Sequence, residues 1–185
     1  TIMKDLLHLS RKQNSCSTLV DINSLIVKTV NAIHLRGAGE VQRRFNLDES
    51  IKLISCDPSK IEQVIINLAT NSMQSILEKK ARCLESGKDF SGLLEITSVL
   101  QDDKVLITFA DNGVGIPEEN RSKVFDPFFS TRPAGQGTGL GLSICLKIIA
   151  EHGGRIYFEC FEDSTVFSIV LPRERKTQLD SAIHL

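Results

Sequence analysis

Apolar residues recur at spacings of three and four in several stretches of this 185-residue chain, which is the periodicity of a helix with one buried face. The stretches cover residues 2–13, 22–35, 58–84 and 140–152. Asp21 precedes the second stretch and Asp57-Pro58 opens the third, and both are signals of a helix start. Gly153 and Gly154 end the fourth. The pattern therefore predicts four helical segments.

Shorter apolar runs, bounded by turn residues, predict strands. They cover residues 41–46, 51–56, 94–100, 105–110, 155–159 and 166–171. Polar turns at 101–103 and 162–164 join the last four runs into two antiparallel pairs. Such strands need a helix layer on one face. The expected fold class is α+β, a two-layer α/β sandwich with a mixed, mostly antiparallel sheet covered on one face by helices.

Composition sets limits on partners and location. A net charge of −1 gives no electrostatic reason to expect nucleic acid or an anionic membrane as partner. No apolar run is long enough for a membrane span, and five scattered cysteines without a CxxC pair indicate reduced thiols rather than disulfides or zinc. We expect a cytoplasmic segment without membrane contact. Because the chain begins with Thr1, we expect a fragment of a longer parent protein, for which a membrane anchor stays open.

A row of amides follows the predicted helix 58–84. Asn67, Asn71 and Gln74 lie at i, i+4 and i+7, beside the apolar stripe rather than opposite it. A buried amide needs a hydrogen-bond partner, and neighbouring loops or water are the simplest partners. A carboxamide oxygen is also a suitable ligand for Mg²⁺. The helix alone favours the first interpretation.

A second motif, Asp111-Asn-Gly113-Val-Gly115, comes directly after an apolar strand. Such residues are common in turns. A carboxylate at the end of a buried strand, however, needs a donor, and an adenine amino group is one. The glycines allow the backbone to pass close to a flat ring.

A third motif, residues 135–141, alternates glycine with other residues and leads into the predicted helix 140–152. Freed N–H groups next to a helix N-terminus form a phosphate-binding site. The alternative, a flexible linker, seldom leads straight into an amphipathic helix. The run lacks the GK[ST] of a Walker motif, and no strand directly precedes it as in a dinucleotide fingerprint.

Together these motifs resemble the ATP-binding catalytic domain of bacterial two-component sensor histidine kinases, in the gyrase–Hsp90–histidine kinase–MutL superfamily. Residues 67–72 resemble its N box, 111–115 its first glycine box, 125–129 its F box and 137–142 its second glycine box. All four occur in the order of the family, and the resemblance covers about residues 21–172. It implies a Bergerat-type fold that binds ATP and Mg²⁺.

The resemblance also implies a role for particular residues. Asn71 would ligate Mg²⁺, Asn67 would lie close to the phosphates, and Asp111 would accept from the adenine amino group. The other positions implied for nucleotide contact are Gln74, Gly113, Gly115, Ile116, Thr131, Gly137, Thr138, Gly139, Leu140, Gly141 and Thr165.

A mobile lid is implied for residues 130–136, anchored by Phe125, Phe128 and Phe129. Arg132 would reach the γ-phosphate from this lid. A solvated loop charge is an equally good interpretation of Arg132, and for Asn67 and Arg132 a direct catalytic role stays open.

None of the four histidines fits the phosphoacceptor of the family, which is followed by an acidic residue and then a proline. They are His8, His34, His152 and His184. The expected function is therefore to bind Mg–ATP and donate its γ-phosphoryl group to a histidine on a dimerisation domain of the same protein, with a response regulator downstream. We interpret residues 1–18 as a remnant of the dimerisation helix and linker, 19–173 as the ATP-binding domain and 174–185 as a polar tail.

Three alternatives remain. An ATP-hydrolysing clamp of the superfamily would need a general base one turn before Asn71, where this chain has Asn67, and Glu62 falls on another helix face. A serine protein kinase of the same fold is disfavoured by the dimerisation-helix remnant. A non-catalytic nucleotide-sensing module is disfavoured by the intact motifs.

Overall fold

The computed structural model describes residues 17–34, 40–132 and 137–174. The expected helix 2–13, the cysteine Cys16, the glycine-run residues Gly135 and Gln136, and most of the polar tail lie outside these residues. The elements in chain order are β1 (Thr18–Asp21), α1 (Ile22–Asn31), β2 (Val41–Leu47), β3 (Leu53–Cys56), α2 (Pro58–Glu85), β4 (Gly92–Gln101), β5 (Lys104–Asp111), α3 (Glu118–Arg121), α4 (Gly141–Glu151), β6 (Arg155–Cys160) and β7 (Thr165–Pro172).

Five strands form one sheet in the order β2-β4-β5-β7-β6. The β2–β4 pair is parallel and the other three pairs are antiparallel. Helices α1, α2 and α4 bury their apolar sides in one core with the inward residues of this sheet. The predicted α+β fold, a mixed and mostly antiparallel sheet with helices on one face, is confirmed.

Helix α2 forms where the sequence predicts it. The side chain of Asp57 caps its first turn by accepting from Ser59 N and Lys60 N at 3.1 and 3.2 Å, and Pro58 occupies the first turn. The predicted apolar stripe is buried along the whole length that faces the sheet: Ile61, Ile65, Leu68, Ser72 and Ile76 are at most 2% exposed. This burial fixes which side of α2 carries the amide row.

The strand predicted at 51–56 and the strand predicted at 41–46 belong to different sheets. β2 is an edge of the large sheet. β3 instead pairs antiparallel with β1, a strand that the sequence did not predict. α1 ends at Asn31 rather than near residue 35. The short helix α3 was also missed, although Pro117, Glu118 and Glu119 are typical of a helix start. No helix in the described part of the chain combines the length and apolarity needed to cross a bilayer.

Contacts at both ends hold α4 against α2. At the end nearer the amide row, Asn67 Nδ2 donates to Gly141 O at 3.1 Å. At the other end, Asp57 N donates to Nε2 of the buried His152 at 3.0 Å, and Lys60 Nζ pairs with Glu151 Oε2 at 2.7 Å. The two helices therefore keep a fixed relative position beside the end of β5.

Candidate functional site

A cavity of about 850 Å³ lies between α2, the segment after β5 and the N-terminus of α4. Of the residues that the sequence singled out by name, those that line it are Asn67, Asn71, Gln74, Asp111, Gly115, Ile116, Phe129, Thr131, Arg132, Gly137, Thr138, Gly139, Gly141 and Thr165. The three motifs are far apart in the chain, and the fold brings them together around one space. Its volume is that of a small-molecule site.

Asp111 forms the floor of the cavity. It is the last residue of β5 and is only 3% exposed. Burial raises the pKa of its carboxyl to about 6, while the bond from Gly113 N to Oδ1 at 3.0 Å, the hydroxyls of Ser72 and Ser75, and the charge of Lys79 lower it. The carboxylate is thus ionised at neutral pH, yet it is held almost out of water.

Gly113 is not in the wall of the cavity, contrary to expectation, because it is packed under α2. A Cβ at this position would lie 2.1 Å from Ser75 Oγ and 2.6 Å from the Ser75 carbonyl carbon. Val114 N donates to Ser75 Oγ at 3.1 Å, which holds the segment against the helix. Gly113 therefore acts by letting the strand end approach α2, while Gly115, at a φ of +77°, lies in the wall itself.

The glycine run before α4 is fixed to the F box. Gly139 has a φ of +66°, and a Cβ there would lie 2.4 Å from the carbonyl carbon of Phe128. Phe128 N donates to Gly139 O at 2.9 Å, and Phe128 itself has a φ of +67°. Glycine adopts this angle without strain, so the strained backbone of Phe128 is the cost of this close approach.

Leu140, which the resemblance implies for nucleotide contact, has a side chain that is 1% exposed and belongs to the core, so only its backbone is available for such a contact. The expectation for Phe128 is wrong. Phe128 is 69% exposed, so its side chain is not an anchor for the neighbouring loop. Phe125 does pack inward, with its ring 6.0 Å from that of Phe158. The expected lid includes residues 133–136, which lie outside the described part of the chain.

The first turn of α4 faces the cavity without a capping side chain. Leu140 occupies the N-cap position and makes no side-chain hydrogen bond there, while Gly141 and Leu142 line the cavity. The first N–H groups of a helix have no intrahelical partner and carry partial positive charge. This turn can therefore bind an anion.

Some buried polar atoms in the cavity wall have no hydrogen-bond partner within the described residues. They include Gln74 Oε1, Thr165 Oγ1 and Ser72 Oγ. Ser72 Oγ lies close enough to Asp111 to lower the pKa, but it does not reach hydrogen-bond geometry. An unpartnered buried polar atom costs about 1–3 kcal/mol, so a polar ligand or ordered water in this space would stabilise the protein.

Three charged side chains at the rim complete the site. Glu78 and Arg82 line the cavity and pair with each other at 2.5 Å. Arg132 lines it as well, and burial lowers the pKa of its guanidinium while the charge of Glu78 opposes that shift. The sequence did not single out Glu78 and Arg82, although Glu78 lies four residues after Gln74 and Arg82 four residues after Glu78, so both continue the amide row.

Metal ligands in the cavity are limited to neutral oxygens and single carboxylates. Residues 17–34, 40–132 and 137–174 contain no group of three or more His, Cys, Asp or Glu side chains placed to hold a metal. Asn71 lines the cavity and, within these residues, makes no side-chain hydrogen bond. A hard cation that keeps most of its water and is shared with a phosphate ligand fits such a wall, whereas a cation that needs a full protein cage does not.

Comparison with known proteins identifies this type of site. Residues 56–175 match the family of histidine kinase-, DNA gyrase B- and HSP90-like ATPases. The chain is 32% identical over 173 residues to the sensor histidine kinase ZraS of Salmonella typhimurium. The matched region covers 92% of this chain and 34% of ZraS. The chain thus spans about a third of the length of the curated relatives that it matches first.

Comparison with solved structures leads to the same family. The chain superimposes on the nucleotide-free catalytic domain of histidine kinase ThkA with a TM-score of 0.71 and 34% identity, covering 86% of this chain and 97% of that domain. A structure of ThkA in complex with the response regulator TrrA gives a TM-score of 0.72 at 31% identity, covering 93% of this chain and 46% of ThkA. The resemblance found in the four motifs is confirmed. The chain belongs to the family of histidine kinase-, DNA gyrase B- and HSP90-like ATPases, and within it to the catalytic domains of sensor histidine kinases.

Proposed function

We propose that this chain binds Mg–ATP in the cavity and donates the γ-phosphoryl group to a histidine on a dimerisation domain of its parent protein. The observation that carries the proposal is the convergence on one cavity of a buried carboxylate, an amide row and an uncapped helix N-terminus. Each fits a different part of a nucleotide. Because the reaction consumes ATP, we assign it to the cytoplasm.

The adenine ring fits the deep end of the cavity. Asp111 is ionised at neutral pH and is placed to accept from an exocyclic amino group, and the unpartnered hydroxyl of Thr165 lies in the same wall. Gly115 and Ile116 provide a flat side without a bulky polar group. A guanine ring would place a carbonyl oxygen where adenine has its amino group, so a carboxylate in this position favours adenine.

The phosphates fit the opposite end, where the N–H groups of the first turn of α4 and the backbone at 137–139 face the cavity. Asn71 is the residue that would hold Mg²⁺, through its amide oxygen. The cation would neutralise phosphate charge and orient the terminal phosphate. Of the two arginines among the described residues that line the cavity, Arg82 pairs with Glu78, which leaves Arg132 to meet the outer phosphates.

Phosphoryl transfer depends mainly on positioning and charge neutralisation, so the attacking imidazole has to reach the cavity from outside. His152 is buried, and both of its ring nitrogens are engaged, with Asp57 N and Ile148 O. His34 is exposed next to the segment 35–39 and does not line the cavity. His8 and His184 lie outside the described residues. We therefore assign the acceptor to the dimerisation domain, and a response regulator then receives the phosphoryl group.

Water is a poorer acceptor in this site. Within the described residues, Asp111 and Glu78 are the acidic side chains that line the cavity. Asp111 is at the adenine end, and Glu78 pairs with Arg82. Neither is placed as a general base for an attack on the terminal phosphate, so we expect slow ATP hydrolysis.

Calorimetry tests the nucleotide site. Wild type should bind ATP more tightly with Mg²⁺ than with EDTA. Asp111→Asn should lose most of the affinity in both conditions, because it removes the adenine acceptor. Asn71→Ala should lose the Mg²⁺ dependence and keep the EDTA affinity. Normal ATP binding by Asp111→Asn would show that the adenine assignment is wrong.

A mixing experiment tests the transfer. The chain alone, given ATP labelled on the γ-phosphate, should incorporate negligible label. Addition of the separately produced dimerisation domain should yield acid-labile phosphohistidine on that domain and not on this chain. Label in this chain alone, or rapid release of free phosphate without the acceptor, would contradict the proposed reaction.

A further inference from the structure

Asn67 is the first amide of the row on α2, and its contacts differ from those of Asn71. Asn67 Nδ2 donates to Gly141 O at 3.1 Å and to Cys145 Sγ at 3.7 Å. Both acceptors belong to α4. A carboxamide nitrogen has two protons, and the geometry directs both of them to the neighbouring helix.

The two acceptors are suited to hold this amide. Gly141 is the first residue of α4. Even a Cβ added at Gly141 would lie 3.7 Å from Asn67 Cγ, which is an ordinary contact distance, so the two residues are not crowded. Cys145 is fully buried, and burial raises the pKa of its thiol to about 12, so the sulfur stays neutral. Its Sγ lies 4.0 Å from Val64 O, to which the thiol donates, and this leaves a sulfur lone pair for the amide.

This arrangement makes a direct bond from the Asn67 amide nitrogen to a phosphate incompatible with the observed contacts. The amide instead joins two elements of the site: α2, which carries Asn71 one turn later, and the first turn of α4, which carries the anion-binding N–H groups.

We infer that Asn67 is a positioning residue whose amide nitrogen fixes the first turn of α4 relative to Asn71, rather than a donor to phosphate. The inference rests on the proposed function in one respect, namely that the phosphates bind at this turn. It agrees with the place close to the phosphates that the sequence resemblance implies for Asn67, and it assigns to Cys145 a part in the same contact.

The consequence is specific to one half of the ligand. A loosened first turn of α4 weakens contacts to phosphates, while Asp111 and the adenine end stay as they are. A residue that merely supports the fold would weaken all ligands alike. A direct phosphate ligand would weaken ATP without altering α4 in the absence of nucleotide.

The test combines amide hydrogen exchange with binding. Asn67→Ala removes both protons and the oxygen, and Asn67→Asp keeps the shape but cannot donate to Gly141 O. In the nucleotide-free protein, exchange at Ile144 and Cys145 in the first turns of α4 should accelerate about tenfold in both variants. ATP and ADP should bind about tenfold more weakly, and adenosine should bind as in wild type. Gln63→Ala, one turn earlier on α2 and outside the cavity wall, is the matched control and should change none of these values.

A measurement on wild type does not depend on the folding of any variant. The side-chain amide protons of Asn67 should be protected from exchange without nucleotide and should remain so with ATP. Unprotected protons, or protection that appears only when ATP is added, would overturn the inference in favour of direct contact. The inference would also be overturned if amide exchange at Ile144 and Cys145 were unchanged in variants that lose ATP affinity. These exchange results need no nucleotide, so failure of wild type to bind ATP would count against the proposed function alone.

Discussion

Asp111 combines burial with a charge that the proposed function needs. Its pKa in the folded protein, about 6, is above the ordinary value of 3.8. The folded protein therefore holds the proton more tightly than the unfolded chain does. This contribution to stability is complete at pH values below the ordinary pKa and is lost as the pH rises through 6. At neutral pH the ionised carboxylate destabilises the fold, and the proposed role as an acceptor would account for a charged group at this position.

Asp111→Asn should therefore separate stability from binding. At pH 7 the free energy of unfolding of the variant should be up to about 3 kcal/mol higher than that of wild type. The substitution removes the buried charge and keeps an acceptor for Gly113 N. The difference should shrink as the pH falls to 4. Urea denaturation at pH 4, 5.5 and 7 measures it. A variant that is less stable than wild type at pH 7 would show that the hydrogen bonds to the carboxylate outweigh the burial.

Glu78 places a negative charge in a cavity that we expect to receive phosphates. It pairs with Arg82 and opposes the burial effect on Arg132. Glu78→Gln should raise the affinity for ATP about two- to fivefold, which is the range of a partly exposed charge interaction. The gain should decrease from ATP to ADP and disappear for adenosine, and added salt should reduce it. Equal gains for all three ligands in calorimetry would show that the effect is steric and does not come from charge.

At the scale of elements, the sequence shows where a helix begins more clearly than it shows which strands pair. Asp57 and Pro58 mark the start of α2 because capping is a contact between near neighbours in the chain. Strand β1 has four residues and pairs with β3 across more than thirty positions, as Thr18 and Cys56 show, so its existence depends on a partner that periodicity does not reveal. For the same reason, the sequence does not reveal that β2 and β3, which follow one another in the chain, belong to different sheets.

Two glycines with the same φ allow the cost of backbone strain to be separated from the cost of a steric clash. Gly139 and Gly87 both have a φ of +66°, but a Cβ at Gly139 would lie 2.4 Å from the backbone of Phe128, whereas nothing lies within 4 Å at Gly87. Gly87→Ala should cost only the backbone strain, about 1 kcal/mol, and leave ATP binding unchanged. Gly139→Ala should cost more than this and weaken ATP binding, because the glycine run has to move away from the F box. Denaturation and calorimetry on both variants measure this, and equal losses of stability would show that the contact with Phe128 contributes nothing.

At the scale of the whole molecule, the site is a meeting point of α2, β5, β7 and α4. The sequence shows which residues have unusual chemistry, such as Asp111 after an apolar strand. It does not show that Gly113 acts through Ser75, or that Leu140 turns into the core, because both depend on packing between distant elements. Glu78 lies on the same helix face as the amide row, but one charged residue on a helix is usually solvated, so only the shape of the cavity distinguishes it.

The proposed transfer also requires a surface where the acceptor domain can approach the terminal phosphate. Beside the phosphate end of the cavity, α4 exposes Leu146, which is 42% exposed and lies one turn after the cavity residue Leu142. A single exposed leucine is common on protein surfaces, so its position beside the open site is what makes Leu146 the residue to test for a docking contact.

Leu146→Asp should therefore leave ATP binding unchanged in calorimetry and lower the rate of phosphohistidine formation on the added dimerisation domain by about tenfold or more, since a buried carboxylate would oppose docking. Leu84→Asp is the matched control: Leu84 is 78% exposed near the far end of α2 and should have no effect on the rate. Raising the concentration of the acceptor domain should restore the rate of Leu146→Asp, because the defect is in docking and not in chemistry. A rate that stays low at saturating acceptor would place the effect of Leu146 in the transfer step itself, and equal losses in both variants would show that the docking surface lies elsewhere.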